Sequence, residues 1–215
     1  MKSILIIGMG RFGHYLCKEL LAQKNEIMIV DKCADAVEDI MNDVTSALVA
    51  DCTKEDVISN LDVSTFDVCF VCIGDDFQSA LEITSLLKDS GASNVVSLAE
   101  RSIHAKFLAR NGADDVIYPT KDIAERIAVK YSNDNVFDYI ELESDYSIYE
   151  ISPISFWVGK SLKESNMRSE YNVSVIGIKS ADGKVNISPA ADCVIKANDH
   201  LMVLAKKDEI GKILN

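Results

Sequence analysis

Grouped basic charge is what this chain of 215 residues has least of: 34 acidic side chains stand against 22 lysines and arginines, for a net charge of −12. Neutralising a phosphate backbone needs clustered Lys and Arg, so this balance argues against nucleic acid as a partner. An anionic membrane surface is disfavoured for the same reason. The sequence also lacks any run approaching the ~20 consecutive apolar residues that span a bilayer. An apolar segment begins at residue 3, leaving no room ahead of it for a signal peptide, and the expectation is a cytoplasmic protein. Paired cysteine spacing is missing too. Cys17, Cys33, Cys52, Cys69, Cys72 and Cys193 are scattered, without the pattern of a disulfide framework or a zinc site. Cys69 and Cys72 form a CxxC, but it lies in the apolar run 66–73, which reads as a strand. There, side chains three apart point to opposite faces and cannot share a metal. All six read as small buried hydrophobes of a reducing compartment.

What is present begins at the N-terminus. Lys2-Ser3-Ile4-Leu5-Ile6-Ile7 is a short apolar run that ends in Gly8-Met9-Gly10-Arg11-Phe12-Gly13. A helical pattern follows over 14–24, then a second apolar run, 26–30, that stops at Asp31. Strand, glycine turn, helix, strand and acid, in this order and spacing, make a dinucleotide-binding βαβ unit. Gly8 permits the tight turn, Gly10 lets the backbone approach a pyrophosphate, and Gly13 lets the helix pack close to the strand. The phosphates would rest on free N–H groups at the helix N-terminus, with Asp31 accepting from a ribose diol.

A hydrophobic content of 48% over this length supplies a full core, in one large domain or two small ones. Helices are expected over 33–42, 54–60, 76–90 and 102–111, and strands over 46–50, 66–73, 94–98 and 115–118. Six strands alternating with helices mean an α/β fold: a Rossmann-type, doubly wound parallel sheet covered on both faces. Ligands of such sheets bind beyond the carboxyl ends of the strands, here Gly8, Asp31, Asp51, Gly74 and Ala99. Gly91 and Gly112 fall just past helices, where a left-handed residue caps the last carbonyls.

A helix over 121–131 carries Ile123, Ala124, Ile127 and Ala128 as one apolar stripe after the sheet is complete. The polar Ser132-Asn133-Asp134-Asn135 breaks it, and a boundary is placed there. The divisions expected are 1–119, 120–135 and 136–215. The last reads as a small α+β lobe: strands 136–143 and 147–151 joined by a turn at 143–146, a short helix at 159–167, and a hairpin of 173–179 and 185–188 around Asp182-Gly183. A strand at 200–205 and a helix at 207–214 close it. The lobe has no HExxH and no GxSxG.

Taken together, Gly8 to Gly13, Asp31, Asp51, the segment Asn111-Gly112-Ala113-Asp114-Asp115-Val116-Ile117-Tyr118-Pro119 and the small C-terminal unit resemble the RCK proteins of the KtrA and TrkA type, over essentially the whole chain. The resemblance implies a cytosolic gating subunit of a membrane potassium channel or transporter. It implies a Rossmann lobe, a crossover helix pairing two subunits, and rings of such dimers, commonly octameric, docked under the pore. By position, Gly8, Gly10 and Gly13 with Phe12 would form the phosphate turn and Arg11 would reach the distal phosphates. Asp31 would bind the ribose, and Asp51, Cys52 and Thr53 with Gly74 would line the adenine side, Lys32 and Ala99 being further cofactor-binding candidates. A guanidinium beside a helix N-terminus suits a chain of phosphates. Two positions depart from the family pattern: Leu98, where a basic residue often stands, and Thr120, where an acid often follows the proline. The adenine nucleotide implied is ATP, ADP, AMP or NAD(H). Some family members bind cyclic di-AMP in the C-terminal lobe, which here would involve Arg168, Val175, Ile176, Ile178 and Pro189.

Two alternatives start from the same βαβ unit. A small NAD(P)-dependent oxidoreductase needs a positioned acid/base and a substrate clamp, and the C-terminal lobe offers only His200, inside a strand. His14 and His104, on helices, read as surface residues. The other is a structural ring component with a vestigial nucleotide site.

Overall fold

The computed structural model describes residues 1–142 and 145–214. The chain divides into two compact units, Met1–Thr120 and Lys121–Asn215. The first contains β1 (Ser3–Ile7), α1 (Arg11–Ala22), β2 (Glu26–Asp31), α2 (Ala34–Glu38), β3 (Ser46–Val49), α3 (Glu55–Asn60), β4 (Val68–Val71), α4 (Phe77–Asp89), β5 (Val95–Leu98), α5 (Ser102–Arg110) and β6 (Asp115–Ile117). Its six strands run parallel in the order β3-β2-β1-β4-β5-β6. The order reverses between β1 and β4, so the crevice of a doubly wound sheet opens at their carboxyl ends.

Alternation along β1 divides its side chains between two cores. Leu5 and Ile7 join Val30, Ile83, Leu87, Val95 and Leu108 on one face, while Ile4 and Ile6 join Cys17, Ile27, Ile29 and Ile40 on the other. Each fully buried Leu or Ile contributes roughly 1.5–3 kcal/mol, so such a doubly covered sheet is the main source of stability. Cys69 lies in the first core and Cys72 in the second, on opposite faces as strand geometry requires. Burial pushes both thiols up to about 12, leaving them neutral at physiological pH. Past α4, Gly91 N–H donates to Lys88 O at 3.0 Å and Ala92 N–H to Leu87 O at 2.9 Å, the paired bonds that close a helix after glycine.

The second unit contains most of α6 (Pro119–Tyr131), followed by β7 (Val136–Glu141), β8 (Tyr146–Ile151), α7 (Met167–Tyr171), β9 (Ser174–Lys179), β10 (Val185–Ile187), β11 (His200–Lys206) and α8 (Lys207–Leu214). Its antiparallel sheet has the order β10-β9-β11-β8-β7. One face carries the core of Trp157, Tyr149, Ile151, Ile178, Leu201 and Val203, with Ile210 of α8. Of the turn expected at 143–146, Glu143 and Ser144 lie outside the described residues.

Two helices differ from expectation. The one expected at 33–42 ends at Glu38, and the chain continues as turns over 39–43 although Ala36, Val37 and Ile40 all pack in the core. The one expected at 159–167 is replaced by a series of turns. Gly159 at φ +83° and Asn166 at φ +51° break the helical backbone, and Ser161 accepts from Glu164 N–H while donating to its carboxylate. The helix starts only at Met167, whose side chain enters the core.

At Gly13 the fold leaves no room for a side chain: a Cβ would press on the Gly8 carbonyl and lie 3.3 Å from Cys72 Cβ. Gly13→Ala is therefore expected to destabilise the protein by about 1–3 kcal/mol, the scale of overpacking against backbone, as read by urea denaturation. An unaltered midpoint would show that α1 can shift away.

Candidate functional site

The crevice at the switch point is a cleft of about 1020 Å³ in the first unit. Its floor is the glycine turn. Gly8, at φ +98°, donates its N–H to Val30 O at 2.9 Å. A Cβ there would also meet Cys72 O at 3.0 Å and Ile73 Cγ1 at 2.9 Å, so this turn sits directly on the end of β4. Gly10 is the N-cap of α1 and supplies no capping side chain, while the first turn of the helix carries no acid. The leading N–H groups of α1 thus lack a side-chain acceptor and face the side where anions are stabilised. A Cβ on Gly10 would have nothing within 4 Å. Gly13 is structural and Gly10 borders open space.

Asp31 ends β2 and already has local duties. One oxygen accepts Met9 N–H at 2.6 Å and the other accepts Cys33 N–H at 2.8 Å. These bonds tie the glycine turn to the start of α2. A carboxylate has about four acceptor directions, so Asp31 retains capacity for a diol. Asp51 accepts the Thr53 hydroxyl at 2.8 Å and Thr53 N–H at 3.1 Å, and these bonds hold its carboxyl below the usual carboxylate range. Asp76 caps α4 by accepting Ser79 N–H at 3.1 Å and its hydroxyl at 2.6 Å; its carboxyl is lowered by the hydroxyl first, then the N–H. Burial, with Asp51 and Asp31 adding, pushes the Cys52 thiol up to about 12, so it lines the cleft as an apolar group.

Of the residues singled out in the sequence, Gly8, Gly10, Arg11, Phe12, Asp31, Lys32, Asp51, Cys52, Thr53 and Gly74 come together around this cleft. Gly13 lies behind the turn. Ala99 does not reach the cleft: it is 1% exposed and packs in the sheet core, its N–H donating to Ile117 O. The cleft wall beside it is made by the next residues, Glu100 and Arg101. The rule of strand carboxyl ends pointed there and stopped one residue short. Asp75, Asp76 and Ser79, just past β4, were legible by the same rule. His104 is not a free surface residue, since it stacks on Phe77 with ring centroids 4.0 Å apart and lines the cleft. Leu98, where a basic residue was expected from the resemblance, is 6% exposed and lines it too.

In the second unit the residues singled out do not share a face. Ile178 is in the core and Val175 packs against it, whereas Ile176 is half-buried outside that core. Arg168 is exposed on α7 and Pro189 is half-buried. His200 is a packed histidine, as its strand position suggested. Its Nδ1 lies 2.7 Å from Glu150 Oε1, which also accepts from Lys179 at 3.0 Å, and its ring stacks on Phe137.

Comparison with known proteins follows the same division. The TrkA-N domain matches residues 4–119 and the TrkA-C domain residues 147–215. The chain is similar to the Ktr system potassium uptake protein C of Bacillus subtilis (strain 168), at 34% identity over 98% of this chain and 95% of that protein. Ktr system potassium uptake protein A of the same organism is 33% identical over 100% and 96%. Among solved structures, the GsuK RCK domain superposes with a TM-score of 0.68 at 18% identity, over 99% of this chain and 47% of that one. The GsuK channel bound to NAD gives 0.68 and 18%, over 97% and 38%. That likeness is one of fold, and the chain spans less than half the length of either GsuK chain.

Because Asp31 supports the turn without any ligand, Asp31→Ala is expected to lower the stability of the free protein by about 1–3 kcal/mol, the cost of leaving such donors unsatisfied. Urea denaturation reads this, and an unchanged midpoint would show that water replaces the carboxylate. For Asp51 the sign follows from its lowered pKa. The stabilisation it lends is present above its unfolded value and is lost as pH falls through the lower folded one. Thr53→Val should move the Asp51 carboxyl up toward its ordinary value in an NMR titration.

Proposed function

The chain belongs to the family defined by the TrkA-N and TrkA-C domains, and from that premise we propose that it is a cytosolic regulatory subunit of a potassium channel or transporter, gated by an adenine nucleotide in the cleft. The observation that carries the nucleotide reading is the open space at Gly10. An uncapped helix N-terminus faces it, Asp31 closes the adjacent strand, and Arg11 and Lys32 line the cleft without an ion pair among the described residues. Backbone donors, a guanidinium and a diol acceptor in this order match phosphate followed by ribose. The GsuK channel bound to NAD and the Shewanella denitrificans Kef CTD in AMP bound form are solved examples of this fold with a nucleotide, and they support the same reading here. Similarity to the Ktr system potassium uptake proteins A and C over nearly the whole chain favours regulation over an oxidoreductase.

In this reading residues 1–119 sense the nucleotide, 120–135 join subunits, and 136–215 complete the assembly. Residues 121–128 of α6 are all exposed, including Ile123 at 57% and Ile127 at 50%. A second copy of the same helix is the occupant we assign to this stripe, since isologous packing buries an apolar surface on itself. Dimers would build a ring, octameric by the family resemblance, beneath a separate membrane pore; no described helix is long and apolar enough to cross a membrane itself. Cyclic di-AMP is assigned to the second unit through Arg168, Ile176 and Pro189, which lie outside its core.

Four measurements test these assignments. In a thermal-shift series with ATP, ADP, AMP, NAD⁺ and NADH, at least one should stabilise the protein, by about 2.7 kcal/mol at 100 Kd. Gly10→Val should abolish that shift while leaving the free protein folded; a retained shift would refute the site. Ile127→Glu should convert a dimer or ring into monomers by light scattering, and a wild type that is already monomeric at micromolar concentration would refute the interface. In titrations of the full chain with cyclic di-AMP, Arg168→Ala should weaken binding about tenfold or more, the scale of a charge-assisted hydrogen bond. Absence of heat in the wild type would remove that assignment. Restored potassium uptake in a deficient strain, only when a pore subunit is co-expressed, would report the regulatory role itself.

A further inference from the structure

The cleft is asymmetric across the switch point. On the side of β1 and β2, Arg11 and Lys32 accompany Asp31 and Asp51; on the side of β4 and β5, Asp75, Asp76 and Glu100 face only Arg101 and His104. Glu100 occupies a defined place there. Its carboxylate lies over Gly74, where a Cβ would be 2.8 Å from Oε1 and 3.3 Å from Cδ. Gly74 follows Cys72 and Ile73, the residues against which Gly8 is wedged. From the glycine turn to the end of β4 to Glu100, the gaps at Gly8 and Gly74 are too narrow to take a methyl group without displacing a neighbour. Whatever follows a pyrophosphate held at Gly10 and passes over the end of β4 arrives at Glu100. Glu100 itself has no hydrogen bond or ion pair among the described residues, unlike Asp31, Asp51 and Asp76, whose oxygens hold neighbouring main chain or hydroxyls.

We propose that Glu100 is a specificity residue of this cleft, accepting from the diol of a second ribose, so that the site selects a dinucleotide over a nucleoside triphosphate. The proposal rests on the nucleotide reading given above. A carboxylate can take both O–H groups of a cis diol, which are donors and uncharged. A third phosphate brings only acceptors and negative charge to the same place, and it repels the carboxylate even though Glu100 is exposed and solvent screens part of that repulsion. Arg101, next in the chain, offsets part of that field but offers no acceptor to a diol. Asp31 on one side of the turn and Glu100 on the other give the cleft two diol acceptors flanking one set of phosphate donors, the pattern of a ligand with two ribose ends.

The test is calorimetric titration of the full-length protein with ADP, NAD⁺ and ATP in magnesium-free buffer, ADP serving as the reference that ends at the pyrophosphate. Wild type is expected to bind NAD⁺ more tightly than ATP. In Glu100→Gln the ratio of NAD⁺ to ADP affinity should fall about tenfold and the ratio of ATP to ADP affinity should rise, while Glu100→Asp, which keeps the charge, should lie nearer wild type. Ratios within about twofold of wild type in Glu100→Gln, or a wild-type preference for ATP over NAD⁺, would overturn the assignment. Failure of ADP to bind wild type would instead overturn the nucleotide reading of the cleft, on which the role of Glu100 depends.

Discussion

Three stretches of backbone meet at one point, and the first unit is arranged around that meeting. The turn after β1, the start of α1 and the end of β4 approach so closely that side chains are excluded at Gly8 and Gly13, with Cys72 and Ile73 as the opposing surface. This close approach fixes where α1 begins and therefore where its N-terminal dipole points. It also sets the place of Gly10, which alone among the three glycines borders open space. The stability of the turn and its capacity for an anion thus come from different glycines only a few residues apart.

The acids around the cleft divide by what they already hold. Asp31, Asp51 and Asp76 are at strand or helix ends, and each accepts nearby main-chain N–H groups that would otherwise be left unsatisfied. Glu100 has no such duty, and neither Arg11, Lys32 nor Arg101 is neutralised by a partner among the described residues. These three cations line the cleft of a chain whose net charge is −12. Groups committed to the fold shape the cleft, and uncommitted ones are available to what enters it. The second unit shows the contrast: Glu150, His200 and Lys179 satisfy one another, and its apolar strand β9 divides between core and outer face.

Most of the architecture was legible in the sequence. Alternating apolar runs and helical stripes, glycine turns and acids closing strands are short-range signals, and they located the parallel sheet and the βαβ unit, whereas the two compact units divide at Thr120, ahead of most of α6, and not at 132–135. Where the reading missed at 159–167, the deciding forces were also local but competing: left-handed residues at Gly159 and Asn166 cancelled a helical pattern. Ala99 was named for its position at a strand end, yet it packs in the core, while Leu98 before it and Glu100 and Arg101 after it line the crevice.

The sequence by itself determined the order of elements, the place of the glycine turn and the family resemblance, because each depends on residues within a few turns of one another. The tertiary structure decided which of the carboxylates are already engaged, that Gly13 is a packing residue while Gly10 borders the cleft, that the Glu100 carboxylate lies close to Gly74, and that residues 121–128 are exposed among the described residues. Those facts depend on which strands become neighbours. Strand order in a doubly wound sheet brings together segments far apart in the chain, and no local periodicity encodes the contacts made where they meet.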